Sequence, residues 1–483
     1  MTKFVKLSTL AATLAVISST SFAATPTAAQ LSREISKLQA QTTSLQNEVR
    51  SLQASKRRAV MRHRYADTNS TESYTGSHTI PEPRKLAFHG ISVTTSPYIG
   101  LRSSPDASDQ LINAPSLNED LYLLLQRDQL DVSPEYSYPN SPLLEFSGDI
   151  LGGANFGNTT NITLNGFDLD LEALASKWAL GMVSLSYSDG SNDYLSEVQA
   201  INNSITTNSN IYLNTAFVTL GNLNAFPVYG TFGQMYVPFG SYSNYMVTTP
   251  LTKYFGRTDA PAAEIGFFKK GFNFDTFAFE GSNKMSNNAS VNNRWGLSGS
   301  YVFTTKIGEQ KFGAGYISTI TDSLGLNGSQ LFVTNHNRSA SLTKSIPAVD
   351  LNAKLNWNKF TFLGEYIWTT TNFALADFNT TQGVTSDAIS KKPGVLDLEA
   401  IYAFNLYSWS SNFAIDFGKS SNAAYLAMPQ TTIAGIFNTS PFKNTVLSAE
   451  LRHDGSYSKA VRDTTGNAIK TGTMLSLQAA LYF

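Results

Sequence analysis

The sequence predicts an all-β protein, a 16-stranded antiparallel transmembrane β-barrel with an N-terminal periplasmic coiled-coil helix. Three observations point there. From residue 144 onward, stretches of about ten residues alternate apolar and polar side chains, as strands between lipid and an aqueous lumen must. The connections between them alternate in length, short after even-numbered strands and long after odd-numbered ones. Aromatic residues gather beside the short connections.

The clearest strand is the last. Leu475, Leu477, Ala479, Leu481 and Phe483 share one face, and Ser476, Gln478, Ala480 and Tyr482 the other. Its terminal Phe resembles the C-terminal signal by which outer-membrane barrels are recognised for assembly. The alternation places strand starts near residues 144, 161, 178, 211, 227, 262, 272, 294, 311, 348, 360, 394, 407, 428, 442 and 471. Tight turns follow the second, sixth, tenth and twelfth strands, at Ser176-Lys177, Lys269-Lys270, Asn358-Lys359 and Asn405-Leu406. The longest connections, around 189–210, 238–261, 320–347 and 370–393, all follow odd strands. A soluble sandwich has no reason to sort its loops by parity, whereas short periplasmic turns opposite long outer loops are a property of transmembrane barrels. Phe267 and Phe272, Trp357 and Phe360, and Phe404, Tyr407 and Trp409 flank three of the turns, where amphipathic rings form an interfacial girdle.

Composition narrows the alternatives. Of 483 residues only 15 % are charged, the net charge is −1, and 22 Tyr and 30 Phe are present, a balance that disfavours nucleic-acid binding. Outside the N-terminus no apolar run reaches the roughly 18 residues a membrane helix requires. Cysteine is absent, which excludes disulfides, thiolate metal sites and a lipidated Cys.

Ahead of the barrel, residues 1–23 read as a signal peptide. Lys3 and Lys6 start it, Leu7 to Ile17 form its apolar centre, and Ser21-Phe22-Ala23 its cleavage site. Residues 31–58 read as a coiled coil, with Leu31, Leu38, Leu45 and Leu52 at d and Ile35, Thr42 and Val49 at a. That pattern suits a homo-oligomer assembled on the periplasmic side. A single amphipathic helix lying on a domain shares it, and dimer and trimer both stay open. Residues 59–80 form a polar linker. Residues 81–143 are broken by eight prolines yet contain Leu121-Tyr122-Leu123-Leu124-Leu125, so they fold either inside the lumen, like a plug, or as a periplasmic cap. Residues 144–483 are the barrel.

A charge facing lipid near mid-membrane costs roughly 2–4 kcal/mol for Lys or Arg and less for Asp or Glu, so the alternation turns charges inward. The expected lumen-lining residues are Glu145, Asp149, Asp168, Asp170, Glu172, Asp350, Lys354, Asp397, Glu399, Asp416, Glu450 and Arg452. That wall is more acidic than basic. Its charges either solvate the lumen or pair with an inserted segment carrying Arg84, Lys85, Arg102 and Arg127. The five histidines are scattered without metal-ligand spacing, so no catalytic residue, metal or cofactor is assigned, and no enzyme is expected.

Three stretches carry a family resemblance. They are Ser96-Pro97-Tyr98-Ile99-Gly100, Pro115-Ser116-Leu117-Asn118-Glu119-Asp120-Leu121, and Gly233-Gln234-Met235-Tyr236-Val237-Pro238-Phe239-Gly240 running on to Thr249-Pro250-Leu251-Thr252. With the preceding heptads they resemble the LbtU-type siderophore porin family, the legiobactin-receptor-like outer-membrane proteins. The resemblance implies a sixteen-stranded barrel with a periplasmic coiled coil that takes up iron, commonly as a ferric siderophore. Some relatives look like carriers of ferrous iron. No coupling box precedes residue 81, so uptake is read as not directly energised. A general cation-preferring porin and a structural outer-membrane anchor are the rival readings. Pro238, Phe239 and Gly240 either terminate a strand or touch ligand at an outer loop. Lys253, Arg257, Arg338, Lys344, Lys391 and Lys392 are expected in outer loops, where they would attract anions at the mouth. The acidic wall would favour cations.

Overall fold

The computed structural model describes residues 86–88, 91–95, 118–131, 143–157, 160–188, 210–281, 294–328, 342–378, 391–426, 428–442, 444–457 and 472–483. The expected signal peptide, coiled coil and linker lie outside the described residues, as does Arg338.

Sixteen strands close the barrel. They are β3 (Leu143–Phe156), β4 (Thr160–Ser176), β5 (Ala179–Ser188), β6 (Asn210–Gly221), β7 (Val228–Tyr236), β8 (Asp259–Lys269), β9 (Phe272–Phe279) and β10 (Arg294–Thr305). They continue with β11 (Gly308–Ile317), β12 (Ala348–Trp357), β13 (Phe360–Thr369), β14 (Gly394–Leu406), β15 (Trp409–Ser421), β16 (Thr431–Ser440), β17 (Thr445–Gly455) and β18 (Gly472–Tyr482). Each pairs antiparallel with the next, and β18 returns to β3 from Leu475↔Phe156 to Tyr482↔Asp149. Every strand starts within three residues of its predicted position.

The parity of the connections holds except after the first barrel strand, where only residues 157–159 separate β3 from β4. Two-residue turns join β4 to β5 at Lys177-Trp178, β8 to β9 at Lys270-Gly271, β10 to β11 at Lys306-Ile307 and β12 to β13 at Asn358-Lys359. The turn predicted at Asn405-Leu406 is made two residues later, at Tyr407-Ser408, where Tyr407 takes φ 56°. Lys270 and Gly271 both have positive φ, 51° and 82°, the backbone twist that lets a two-residue turn match its strands.

Large apolar side chains stand on the outer face. Ile265, Phe312, Leu351, Leu398, Ile415, Ile433 and Leu451 are about half exposed, while their strand neighbours turned inward are buried. Trp178, Phe272, Trp357, Tyr407 and Trp409 ring the short-turn end. An apolar band with an aromatic rim fits a barrel surrounded by lipid. No described helix is long and apolar enough to cross a membrane.

Two further strands were not anticipated from sequence. β1 (Leu86–Phe88) pairs antiparallel with β2 (Ile91–Thr95), and β2 runs parallel to the start of β3, from Ser92↔Leu143 to Thr95↔Phe146. β18 reaches only to the level of Gly148, leaving the first residues of β3 without an antiparallel neighbour on that side. β2 fills that position.

Candidate functional site

All twelve expected lumen-lining side chains are buried on the inner face. The same face carries residues not singled out before: Glu264, Asp275, Lys311, Glu365 and, at the start of β10, Arg294. Each sits on the polar register of a strand whose alternate positions are apolar, so the alternation rule reaches them too. Like charges stand directly opposite at Glu145↔Glu172, Asp149↔Asp168, Glu365↔Asp397 and Glu399↔Asp416. Such pairs are unfavourable unless something else occupies the carboxylates. Much of that occupation comes from the chain itself, at three levels of the lumen.

At the short-turn end lies helix α1 (Glu119–Asp131). Two acidic residues open it, as suits the positive end of the helix dipole, and the Leu121 N–H donates to Asp120 Oδ1 at 2.7 Å. Leu121, Leu123 and Leu124 pack on inward-facing Leu174, Leu180, Met182, Phe217 and Tyr229, near the turns of β4–β7. Polar contacts fix the helix in place. Thr231 Oγ1 donates to Asp120 Oδ2 at 2.5 Å, and Asn118 Nδ2 to Asp275 Oδ2 at 2.9 Å. Arg127 Nη2 donates to the Gly221 carbonyl at 2.7 Å and lies within electrostatic reach of Glu172. The described helix of residues 81–143 thus packs on inward-facing side chains of the barrel wall.

At mid-height a strap, residues 237–250, crosses the inner wall and leads into the short helix α2 (Leu251–Gly256). This corrects the expected outer loop. Pro238 and Phe239 are buried, Gly240 is half-buried, and Lys253 and Arg257 are buried with 2 % and 8 % exposure, so neither cation stands at the mouth. The Arg257 guanidinium instead lies 3.6 Å from the Tyr236 ring centre, a cation–π contact. What draws the strap inward is the row of acceptors on the wall. Glu365 Oε1 accepts the Ser241 N–H at 2.6 Å and shares the Tyr242 N–H with Oε2 at 3.2 Å. Glu399 takes the Tyr245 N–H on both oxygens, at 3.1 and 3.0 Å. Glu450 Oε2 accepts Val247 and Thr248 N–H at 2.6 and 3.1 Å, while its Oε1 accepts the Thr248 hydroxyl. Arg452 Nη1 then donates to Thr248 Oγ1 at 2.8 Å and to the Thr249 carbonyl at 3.1 Å. Backbone amides on carboxylates are charge-assisted hydrogen bonds, stronger than neutral ones.

The long-loop end is closed by apolar packing. Phe239, Leu251 and Phe255 meet Phe277, Phe279, Ile317 and Ile367 of the wall, and Phe373, Phe378 and Tyr425 of the loops join the same cluster. Phe378 and Tyr425 meet edge to face at 5.4 Å. Arg294 Nη1 and Asp322 Oδ2 form a buried ion pair at 2.5 Å at the same end. In the loops, burial raises the Asp377 carboxyl, opposed by the N–H and hydroxyl of Thr343 that it accepts. Lys344 is half-buried with Nζ 3.3 Å from Asn372 Oδ1, and Lys391 and Lys392 are exposed.

The arrangement can pass, hold or exclude a solute; it has no chemistry-bearing constellation among the described residues. His453 bonds Thr473 at 2.9 Å on the exposed face, and no group of three or more His, Cys, Asp or Glu is placed to hold a metal ion.

No protein-family model matches the chain. It is similar to a UPF0422 protein of Coxiella burnetii, 29 % identical over 405 residues and covering 81 % of this chain and 80 % of that one. A UPF0422 protein of Legionella pneumophila strain Lens is likewise 29 % identical, over 392 residues, covering 76 % and 70 %. Among solved structures the chain is similar to the outer membrane channel DcaP of Acinetobacter baumannii, at TM-score 0.47 and 11 % identity, covering 71 % of this chain and 97 % of that one. It is also similar to an anion-selective porin from Comamonas acidovorans, at TM-score 0.45 and 12 % identity, covering 71 % and 100 %.

Proposed function

We propose that the protein is an outer-membrane channel that admits a small iron-containing solute without direct energy coupling, its N-terminal coiled coil lying in the periplasm. One observation carries the channel reading: a closed barrel, apolar outside, has a charged inner wall whose lumen is narrowed by its own helix and strap. A structural anchor needs no such wall, because an apolar interior would pack more cheaply than buried carboxylates. Filling at several levels favours a selective conduit over a general porin.

Iron as cargo rests on the three resembling stretches, two of which bear on the lumen. Asn118 to Leu121 begin α1 or contact it, and Gly233 to Gly240 lead into the strap. Between the two forms of iron, charge placement supports the ferrous ion over an anionic ferric siderophore. The acidic wall favours cations, and Lys253 and Arg257 are withdrawn from the mouth that was to attract anions. The test is iron-limited growth of a deletion strain with uptake of ferrous iron and of a ferric siderophore measured separately. Loss of ferrous uptake alone is the expected result. Unchanged uptake of both would remove iron as the cargo and leave the barrel untouched.

A further inference from the structure

We infer that Glu365, Glu399 and Glu450 are positioning residues that latch the lumen strap, and that protonating them releases it and widens the conduit. The inference builds on the channel reading only for the second consequence.

The latch has an unusual dependence on charge. The N–H groups of Ser241, Tyr242, Tyr245, Val247 and Thr248 all donate to wall carboxylates, so wall side chains hold the strap where a strand partner would otherwise do so. Backbone N–H groups, which can never accept a hydrogen bond, point at all three glutamates, and at Glu450 the Thr248 hydroxyl joins them. A carboxylate accepts on both oxygens and carries a full charge; its acid form keeps one acceptor oxygen and turns the other into a donor. Each proton taken up therefore removes the charge assistance from these hydrogen bonds and leaves fewer acceptor sites for the same N–H groups. Strap contacts that involve no carboxylate, such as Asn438 Nδ2 to the Tyr245 carbonyl at 3.3 Å and Lys311 Nζ to Ser241 Oγ at 3.3 Å, keep their sense through that change.

The groups facing the latch differ along its length. Asp350 and Asp397 stand beside Glu365, with Lys311 across from them. Asp397 and Asp416 stand beside Glu399. Arg452 stands beside Glu450 and grips Thr248 and Thr249 as well. The strap itself brings Tyr242 and Tyr245, and Lys253 follows in α2. Arg452 holds Thr248 and Thr249 whatever the charge on Glu450, whereas the Ser241–Tyr245 half hangs chiefly on Glu365 and Glu399. The Ser241–Tyr245 half is thus the end that lets go, with Val247–Thr249 as the hinge that stays. The backbone agrees with that order: Gly240 at φ +83° and Tyr242 at φ 52° both sit in the left-handed region, which costs a tyrosine energy that only the surrounding contacts hold in place. Ser241, Tyr242 and Ser243 are half-buried, and residues 244–250 are buried.

The absence of cysteine makes the test clean. A nitroxide on Ser243→Cys reports strap mobility in the full-length protein in lipid, read from about pH 7.5 to about pH 3, across the ordinary carboxylate range. The label should be immobile at the upper pH and mobile at the lower. In E365Q/E399Q it should be mobile throughout, since each carboxamide lacks the charge and keeps a single acceptor oxygen. Asp168→Asn, at a lumen carboxylate that accepts from the Ser186 hydroxyl, should keep the wild-type response. Heat-modifiable migration on gels confirms a folded barrel in each variant. A label immobile at both pH values in the wild type, or a wild-type response in E365Q/E399Q, overturns the latch. Bilayer conductance on the same samples separates the two readings. Release of the strap in a protein that never conducts keeps the latch and overturns the channel, whereas a pH-insensitive label in a conducting protein overturns the latch alone.

Discussion

Truncating two leucines of α1 should empty the short-turn end of the lumen without unfolding the barrel. Leu121 and Leu124 are both 0 % exposed and pack on the wall of β4–β7. A buried Leu→Ala change costs about 2–5 kcal/mol, lost transfer energy plus a cavity. As neighbours on one helix face the two do not simply add, which puts L121A/L124A at about 4–8 kcal/mol. The polar anchors, through Asp120, Asn118 and Arg127, contribute about 1–3 kcal/mol each as hydrogen bonds involving charged groups. Removing the leucines therefore takes away a share comparable to all three anchors, while the strand ladder from β3 to β18 loses nothing. The expected results are a higher single-channel conductance and new trypsin cleavage after Arg127, which is 1 % exposed in the intact protein. Wild-type conductance and a protected Arg127 in a folded variant would show that α1 does not depend on its leucines and does not obstruct the lumen.

Other outcomes follow from the same geometry. Deleting residues 84–140 should raise conductance and shift planar-bilayer reversal potentials towards cations, since Arg127 leaves the neighbourhood of Glu172; equal values in both proteins would refute it. Arg294→Ala leaves Asp322 buried without its ion-pair partner and should destabilise the barrel by about 3–5 kcal/mol in denaturant titrations, with R294M/D322L recovering much of that loss. Leu398→Lys, on the outer face between the inward Asp397 and Glu399, should cost about 2–4 kcal/mol in lipid, whereas a soluble barrel would tolerate it. Substituting Leu38 and Leu45 with Asp should weaken self-association on native electrophoresis while the barrel stays folded; an unchanged assembly state would favour a lone surface helix.

The strands were legible because a wall between lipid and water writes its period into every strand. Glu365 shows how far that rule extends: Phe360, Phe362, Tyr366 and Trp368 take one register, and Thr361, Leu363, Glu365 and Ile367 the other, so its inward direction needs no further information. The strap was not legible for the opposite reason. Pro238, Gly240 and Pro250 mark residues 237–258 as a loop, and a loop after an odd strand belongs outside by parity. Its acceptors come from β13, β14 and β17, more than a hundred residues later, and no local periodicity carries that pairing. Lys253 and Arg257 were misplaced with it. The helix was half legible, since its leucines announced burial and nothing local announced which surface would bury them.

β2 solves a problem that alternation cannot. A slip of one residue between strands turns every side chain to the wrong face, so the apolar pattern forbids it. A slip of two preserves the faces and goes unpunished by that pattern. In this barrel Phe483 exchanges backbone hydrogen bonds with Gly148 at 3.0 Å each way, and Thr95 already stands opposite Phe146. Were β18 to advance two residues along β3, Phe483 would land where Thr95 lies. The end of β2 therefore acts as a mechanical stop at the seam, and a short piece of chain far from the last strand sets the length at which the cylinder can be joined.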